Sequence, residues 1–264
     1  MHTLPIFQID AFTDRPFTGN PAAVCPLPAW LPDDTLQAIA AENNLSETAF
    51  TVPEGDGYRL RWFTPTLEVA LCGHATLAAA SVLLTEPGSI AFSTRSGTLT
   101  VTRSGNALTM DFPSIPPTPA EPPAGLLDAL GGSPSAVFSI RSVHGARYFM
   151  ALMDSPEAVA ALAPDTGRLG TALGANVIAT AQGGQHDFVS RFFAPASGVP
   201  EDPVTGSTHC TLAPYWSERL GSTTVTGHQI SKRGGVVRCE VVGARVHISG
   251  QCALYMAGQI HIPA

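Results

Sequence analysis

The feature that most constrains this chain is an internal repeat. Two stretches, residues 63–80 (FTPTLEVALCGHATLAAA) and 193–216, each begin with an aromatic residue and a Pro two positions on, pass through an acidic loop, reach a Gly and continue into an apolar run. Residues 61–65 match 191–195, and residues 44–49 match 176–181, with all separations between 130 and 133 residues. Such a repeat predicts two similar domains facing each other across a cleft.

The two halves do not carry the same chemical groups. The alignment places Glu47 opposite Ala179 and His74 opposite Ser207. An acid/base role at the first position can therefore belong to only one half. We expect two domains of similar fold whose active-site side chains differ.

The fold class follows from one apolar segment and its neighbours. Residues 73–84 are apolar on nearly every face, so a helix there belongs inside another layer. Short strand-like segments precede and follow it, which predicts a curled sheet as the container. Residues 206–219 are the second candidate central helix. The prediction is an α+β protein with two pseudo-symmetric domains, each a barrel-like, largely antiparallel sheet around a central helix, with the active site in the cleft between them.

Domain limits are suggested by a Pro-rich segment. Residues 114–125 contain many prolines, which favour an extended, semi-rigid linker. We therefore expect an N-terminal domain over 1–113 and a C-terminal domain over 126–251, with a last strand near 252–264 that can return to the first domain. A further helix is predicted after Asp33 as its N-cap, with Leu36, Ile39 and Ala40 on its buried face.

Composition excludes several classes of protein. Hydrophobic residues make up 44% of the 264 residues and charged residues 13%, so a folded core is expected and disorder is not. The net charge of -7 argues against nucleic acid or an anionic membrane as partner. Five cysteines without a CxxC pair are typical of a reducing compartment. Without a signal-peptide pattern or a long apolar run, the expected location is the cytoplasm.

Three side chains are candidates for catalysis. Glu47 begins an apolar strand, and a carboxylate in apolar surroundings suits proton transfer, although most Glu residues at strand edges are simply exposed. His74 follows a Gly at a predicted helix N-terminus, where an imidazole can relay a proton; a buried structural His is the alternative. Asp202 can fix a substrate amine or hydroxyl, or serve only as a turn residue before Pro203.

Binding of a carboxylate is expected at the two Gly positions. Gly73 and Gly206 stand where a loop becomes a helix, and backbone N–H groups at helix N-termini bind anions. Ser207 follows the second Gly and adds a hydroxyl. Cys72, at the position of Thr205 in the other half, is either a thiolate base or a buried structural Cys. No closed set of metal-ligand spacings and no nucleotide-binding Gly motif is present, so the motifs give no case for a metal site or for binding of a dinucleotide or nucleoside triphosphate.

Four segments resemble the PhzF-like family of phenazine biosynthesis, within the diaminopimelate-epimerase-like fold: QIDAFTDRPFTGNPAAVC, AENNLSETAF, LEVALCGHATLAAA and EDPVTGSTHCTLAPYW. The resemblance implies a homodimer and an isomerase without cofactor or metal that moves a proton near a substrate carboxylate. Glu47 resembles the family's catalytic acid/base, while His74, Asp202 and Ser207 resemble its polar site residues. Gly73 and Gly206 resemble its backbone donors.

The sequence therefore supports three hypotheses. The first is a cofactor-independent isomerase that moves a proton on a small carboxylate-bearing substrate, with Glu47 as general acid/base. The second is a racemase or epimerase that uses Cys72, because LCGHAT is reminiscent of the epimerase relatives of the fold. The third is a small-molecule binding protein that kept the fold without the chemistry.

Overall fold

The computed structural model describes residues 2–141 and 146–263. The contacts divide the chain into two units. The N-terminal unit runs to Asp111 and includes the residues from Ser249 onward, and the C-terminal unit covers Phe112–Ile248. The Pro-rich segment belongs to the C-terminal unit, where residues 118 and 119 form a short strand.

Strands dominate both units. In chain order they are β1 (His2–Ala11), β2 (Asn20–Pro26), β3 (Glu47–Glu54), β4 (Gly57–Phe63), β5 (Glu68–Val69), β6 (Gly88–Thr94), β7 (Gly97–Ser104), β8 (Ala107–Pro113), β9 (Thr118–Pro119), β10 (Ala136–Ile140), β11 (Arg147–Leu152), β12 (Ala175–Gln182), β13 (Phe188–Ala194), β14 (Val199–Asp202), β15 (Thr224–Gln229), β16 (Gly235–Val242), β17 (Arg245–Gly250) and β18 (Cys252–Ile262).

The helices are few and short. They are α1 (Asp33–Asn43), α2 (Gly73–Leu83), α3 (Leu126–Leu130), α4 (Pro156–Ala160) and α5 (His209–Leu220), with one π-helical turn (Arg168–Ala172) and one 3₁₀ turn (Pro195–Ser197). In the part of the chain that the structure describes, none is long and apolar enough to cross a membrane.

The strand pairing repeats between the units. In the N-terminal unit β1–β2 is antiparallel, β2–β3 parallel, β3–β4 antiparallel, β4–β6 parallel and β6–β7 antiparallel. In the C-terminal unit β10–β11, β11–β12, β12–β13, β13–β15 and β15–β16 follow the same alternation. The internal repeat predicted from the sequence is therefore present as a repeated topology, and the α+β fold class is confirmed.

The pairing register corrects one part of the sequence alignment. Arg61 pairs with Phe50, and Arg191, its counterpart, pairs with Ala179. Ala179 is therefore equivalent to Phe50, and counting back three residues makes Asn176 the counterpart of Glu47. The predicted match of residues 44–49 with 176–181 was wrong by three residues, because an apolar strand pattern looks similar when it is shifted along the chain.

The central helix of the N-terminal unit is as predicted. Helix α2 begins at Gly73, and its residues from His74 to Ala80 are all buried. It packs against β1, β2 and β3. A helix without a polar face is stable only in such surroundings, because burial of its apolar side chains on every side outweighs the cost of ordering them.

Helix α5 starts later than predicted. Residues 206–208 form successive tight turns, in which His209 N–H donates to Gly206 O at 3.0 Å and Cys210 N–H to Ser207 O at 3.1 Å, and α5 begins at His209. The helix packs against β15 and β16 and contains Pro214. Gly221, with φ 65°, ends the helix, because Gly adopts the left-handed conformation at low cost.

Helix α1 confirms the predicted buried face of Leu36, Ile39 and Ala40. Its N-cap is Pro32 rather than Asp33, which is the first helical residue and whose side chain instead accepts a hydrogen bond from Arg61 at 2.8 Å. The helix packs on β3 and β4 and thereby supports the strand that begins with Glu47.

Each unit contains a half-buried arginine at the same position of the repeat. Arg61 donates through Nε and Nη2 to both oxygens of Glu68 at 2.8 Å, and Arg191 binds Glu201 in the same way at 2.8 Å. The guanidinium groups also lie over Phe63 and Phe193, at 5.1 and 4.7 Å from the ring centroids. Paired hydrogen bonds of this geometry fix the chain on both sides of each loop.

Candidate active site

Glu47, His74 and Cys72 come together in the N-terminal unit. Glu47 is the first residue of β3, and Cys72 is the N-cap of α2. His74 Nε2 lies 3.1 Å from Glu47 Oε2, and His74 Nδ1 lies 3.5 Å from Cys72 Sγ. The imidazole thus stands between a carboxylate and a thiol. The structure brings together two of the three predicted catalytic residues and the alternative thiol base.

Glu47 and His74 contact each other without a well-aligned hydrogen bond. Glu47 Oε2 and His74 Nε2 are both buried and have no other hydrogen-bond partner among the described residues. The side chain of Glu47 is 18% exposed and that of His74 is 7% exposed. These two atoms can therefore form further hydrogen bonds to a polar ligand.

Electrostatics set the charges in this group. Burial opposes a charge on His74, but the neighbouring Cys72 and Glu47 outweigh it and hold the pKa of His74 well above its usual range. Burial, and then the charge of Glu47, raise the pKa of the Cys72 thiol. Burial and the charge of Glu47 thus favour the neutral thiol of Cys72, and the two neighbours together favour the protonated form of His74.

Asn20 and Ser46 complete the surroundings of His74, and the sequence analysis did not select them. Asn20 Nδ2 lies 3.3 Å from His74 Nδ1, and Ser46 Oγ donates to Asn20 Oδ1 at 3.3 Å. Asn20 is fully buried. Its only sequence signal was the GNP turn before β2, which marks a loop and does not reveal a contact 54 residues along the chain.

Gly19 places Asn20 at the start of β2. Its φ is 69°, and an added Cβ would lie 2.3 Å from Ala11 O. Only Gly fits both constraints, because it tolerates a positive φ and has no side chain to collide with the neighbouring strand. The backbone can therefore turn tightly from β1 into β2 and direct Asn20 toward His74.

Gly73 has a different role from Gly19. An added Cβ would meet only Met110 Cε, at 3.8 Å, so packing within this unit does not require Gly. Gly73 opens α2, and Cys72 provides no side-chain cap. The first N–H groups of a helix have no intrahelical acceptor, so this end of α2 can receive an anion.

The other three predicted residues lie between the last residue of β14, Asp202, and the start of α5. The Thr205 hydroxyl donates to Asp202 Oδ2. Gln229, which is fully buried, donates to Asp202 O at 2.7 Å and accepts from Thr205 N–H at 2.9 Å. Gly206 is buried and Ser207 exposed. Asp202 is thus held by a buried amide that sequence reasoning missed, because Gln229 follows Asp202 by 27 residues.

The counterpart of Glu47 has no acid/base chemistry. Asn176 donates to Ser197 Oγ at 2.7 Å, and its Oδ1 accepts from Ala196 N–H at 3.0 Å. It is fully buried and holds the 3₁₀ turn after β13. Glu47 therefore remains the carboxylate that the repeat does not duplicate, although its partner is Asn176 and not Ala179.

His209 occupies the place in α5 that Thr76 occupies in α2. Thr76 Oγ1 donates to Cys72 O at 2.6 Å, and His209 Nδ1 lies 2.9 Å from Thr205 O. His209 is fully buried, and burial lowers its pKa to about 4. The neutral ring supports the fold, and its neighbour Cys210 is not part of a metal cluster among the described residues.

His209 makes the stability of the fold depend on pH. Because its folded pKa is lowered to about 4, the unfolded chain binds a proton first as the pH falls below about 6.5. Stability is therefore retained above that pH and lost between about pH 6.5 and 4, by about 3 kcal/mol.

Urea unfolding at several pH values tests this. The free energy of unfolding should change less with pH for His209→Asn than for the wild type. The exposed control His2→Asn should keep the wild-type slope; an unchanged slope in His209→Asn would contradict the assignment.

Pockets elsewhere in the N-terminal unit do not contain these groups. A pocket of about 480 Å³ is lined by Trp30, Arg61, Arg95 and neighbouring residues, and Arg61 and Arg95 pair with Glu68. Another, of about 230 Å³, lies beside Arg103 and Cys252. The chemistry of Glu47, His74 and Cys72, rather than pocket size, therefore identifies the candidate site.

A known protein family matches most of this chain. The model of the family described as phenazine biosynthesis-like protein matches residues 9–258. The chain belongs to this family. An uncharacterized isomerase of Pseudomonas aeruginosa is 52% identical, over 98% of this chain and 99% of that protein. The crystal structure of a PhzF-family phenazine biosynthesis protein from Enterococcus faecalis has a TM-score of 0.93 and 43% identity, and covers 99% of this chain and 100% of that one.

The fold extends to epimerases. A hydroxyproline epimerase from Agrobacterium vitis, solved with bound trans-4-hydroxy-L-proline, has a TM-score of 0.58 and 13% identity, over 98% of this chain and 92% of that one. At that identity the likeness concerns the fold alone. The family and fold resemblance found in the sequence is thereby confirmed.

Proposed function

We propose that this chain is a cofactor-independent isomerase that moves a proton on a small carboxylate-bearing substrate, with Glu47 as general acid/base. The observation that carries the proposal is the contact between Glu47 Oε2 and His74 Nε2 at 3.1 Å, in which neither atom has an aligned hydrogen bond. The relatives named as isomerases support the reaction class.

At the end of the proposed reaction the enzyme has the same protonation state as at the start. The Glu47 carboxylate removes a proton from a C–H bond next to an electron-withdrawing group, and the electron pair of that bond moves into the conjugated system of the substrate. The Glu47 carboxylic acid then returns the proton to another carbon. The protonated His74 stabilises the negative charge that develops on the substrate, as a positioned charge does in a site with little water.

The substrate carboxylate is proposed to bind to backbone N–H groups. The start of α2 at Gly73 offers unpaired donors beside Glu47. Gly206 and Ser207 are proposed as the second group of donors and Asp202 as the residue that orients an amine or hydroxyl of the substrate. An anion held in this way keeps the reacting carbon at a fixed distance from Glu47, which lowers the entropic part of the barrier.

Solvent exchange tests the reaction class. The enzyme would be incubated in D₂O with a panel of aromatic and aliphatic carboxylic acids, including anthranilate-like dihydro compounds and amino acids. Mass spectrometry and NMR would then identify which carbon gains deuterium. Incorporation into one class of acid is the expected result. Tight binding of a carboxylate in calorimetry, without any exchange, would instead indicate a binding protein.

A second candidate function has its own observation. Cys72 Sγ lies 3.5 Å from His74 Nδ1, so the imidazole can take the thiol proton and make Cys72 a base for epimerisation. The raised pKa of the Cys72 thiol disfavours this hypothesis, because a thiol is a base only after it loses its proton. Exchange at Cα of an amino acid that is lost in Cys72→Ser and kept in Glu47→Gln would favour it.

The homodimer implied by the resemblance is proposed as the quaternary structure. Leu254, Tyr255 and Met256 on β18 are 56%, 49% and 42% exposed, and Phe17 packs edge-on against Tyr255 at 5.6 Å. An apolar patch of this kind is typical of a protein interface, and a second copy of the chain is the proposed occupant. Light scattering that gives the mass of a single chain would contradict the dimer.

A further inference from the structure

Thr205 is held by hydrogen bonds at each of its polar atoms. Its N–H donates to Gln229 Oε1 at 2.9 Å. Its hydroxyl donates to Asp202 Oδ2 and accepts from Gln229 Nε2 at 3.3 Å. Its carbonyl oxygen accepts from Thr208 Oγ1 at 2.8 Å and from His209 Nδ1 at 2.9 Å. A buried network in which every polar atom of Thr205 has a partner fixes one conformation of the residue.

These hydrogen bonds also set the direction of the Gly206 N–H group. The Thr205 carbonyl and the Gly206 N–H belong to one planar, trans peptide group, so they point in opposite directions. Because Thr208 and His209 hold the carbonyl oxygen, the N–H points away from them. Among the described residues, the N–H groups of Gly206 and Ser207 have no hydrogen-bond acceptor. The fixed peptide therefore presents donors that are available to a substrate carboxylate.

In both units a serine holds the loop that precedes the central helix. Ser231 Oγ donates to Pro203 O at 2.6 Å in the C-terminal unit, and Ser96 Oγ donates to Ala70 O at 2.8 Å in the N-terminal unit. Each serine follows the last residue of its strand, β15 or β6, by two positions, and these strands are equivalent in the repeat. The fold therefore supports both loops with one repeated hydrogen bond.

The position of Gln229 carries a different residue in the N-terminal unit. β15 ends at Gln229 and β6 ends at Thr94, so Thr94 occupies the same position. The Thr94 hydroxyl donates to Gly97 O within its own turn, at 2.6 Å. The Gln229 amide instead reaches the loop before α5, where it donates to Asp202 O at 2.7 Å and accepts from Thr205 N–H. These contacts add to the repeated fold, and they occur in the unit that carries Asp202.

We propose that Gln229 is a positioning residue of this loop, a role that rests on the proposed isomerase function. Through Thr205, the amide fixes the Asp202 carboxylate, which orients an amine or hydroxyl of the substrate. It also fixes the Gly206 N–H group, which binds the substrate carboxylate. Gln229 is fully buried and acts only through these groups. Its effect is therefore on binding and orientation of the substrate, whereas Glu47 transfers the proton.

Amide hydrogen exchange tests the role of Gln229 without a substrate. In Gln229→Met the Thr205 N–H loses its acceptor, and its exchange with D₂O, measured by NMR, should be about tenfold faster than in the wild type. Gln182→Met changes an exposed residue at the end of β12 in the same unit and should leave this rate unchanged. Circular dichroism shows whether both variants are folded. Unchanged exchange at Thr205 in folded Gln229→Met would overturn the proposal.

Kinetics separate positioning from mere support of the fold. With the carboxylic acid found in the deuterium panel, Gln229→Met should raise KM about tenfold and change kcat little, because the loop binds the substrate equally in the ground state and in the transition state. A purely structural role would reduce the amount of folded enzyme, which lowers the apparent kcat and leaves KM unchanged. A wild-type KM in folded Gln229→Met would overturn the proposal.

Gln229→Glu is a second variant whose effect depends on pH. Its protonated carboxyl group can donate to Asp202 O and accept from Thr205 N–H, as the amide does. When the introduced group ionises at higher pH, it loses its proton donor and repels the Asp202 carboxylate. KM of Gln229→Glu should therefore be near the wild-type value at low pH and rise as the pH increases. A KM with the wild-type pH profile in this variant would contradict the proposal.

Failure of this proposal and failure of the proposed function give different results. If no carboxylic acid gains deuterium, the isomerase function is overturned, and amide exchange at Thr205 still decides whether Gln229 fixes the loop. If the wild type exchanges deuterium into an acid and folded Gln229→Met keeps the wild-type KM, the positioning role is overturned and the isomerase function stands.

Discussion

Glu47→Gln is expected to lower the rate of proton transfer about 100-fold or more and to leave the fold intact. The amide has the size of the carboxylate but cannot take a proton, and it also removes the charge that favours protonated His74 at 3.1 Å. The measurement is the rate of deuterium incorporation into the substrate found in the panel, together with thermal unfolding of both proteins.

Glu54→Gln is the matched control for this experiment. Glu54 ends the same strand, β3, and makes an exposed ion pair with Arg59 at 3.6 Å. Exposed ion pairs contribute little to stability, so both rate and stability should stay near the wild-type values. Loss of activity in Glu54→Gln, or a wild-type rate in Glu47→Gln, would contradict the assignment.

Arg191→Met is expected to lower the free energy of unfolding by about 2 kcal/mol, because it removes a half-buried guanidinium whose hydrogen bonds go to a charged partner and to carbonyl groups. Arg191 donates to both oxygens of Glu201, and Nη1 donates to the carbonyl oxygens of Val159, Ala160 and Leu162, at 3.3, 3.2 and 2.7 Å. Its side chain is 15% exposed. The variant also leaves the carbonyl groups at the end of α4 without these donors.

Urea unfolding followed by circular dichroism measures this effect. Arg238→Met, at an exposed position of β16, controls for the removal of one positive charge and should change the stability by less than 1 kcal/mol. An equally small effect of Arg191→Met would mean that the hydrogen bonds of Arg191 add no stability beyond what methionine packing restores. Arg61→Met, the same change in the other unit, tests whether the repeated arginine has a repeated role.

Much of the fold was predictable because short sequence motifs and apolar segments recur in both halves of the chain. The apolar segment from Gly73 onward predicted a buried helix, and α2 is buried as expected. The register of β12 could not be derived, since a run of small apolar residues fits several registers equally well. The start of α5 was also missed, because Gly206 marks a turn that continues for three residues before the helix begins at His209.

The site was predictable where local signals exist and not where contacts are distant in sequence. Glu47 was selected as a carboxylate in an apolar strand, and His74 as a residue at a helix start. Asn20 and Gln229 were missed, since the contacts of these buried amides with His74 and Asp202 span 54 and 27 residues of sequence. The tertiary fold brings these two amides to their partners, and the sequence around them contains no recognisable motif.

The most direct test of the central claim compares two variants in one exchange experiment. Deuterium incorporation into the same carboxylate would be measured for Glu47→Gln and Cys72→Ser, with both variants shown to be folded. The account predicts that exchange is lost in Glu47→Gln and retained in Cys72→Ser. Exchange retained in Glu47→Gln and lost in Cys72→Ser would contradict it and assign the proton transfer to the thiol.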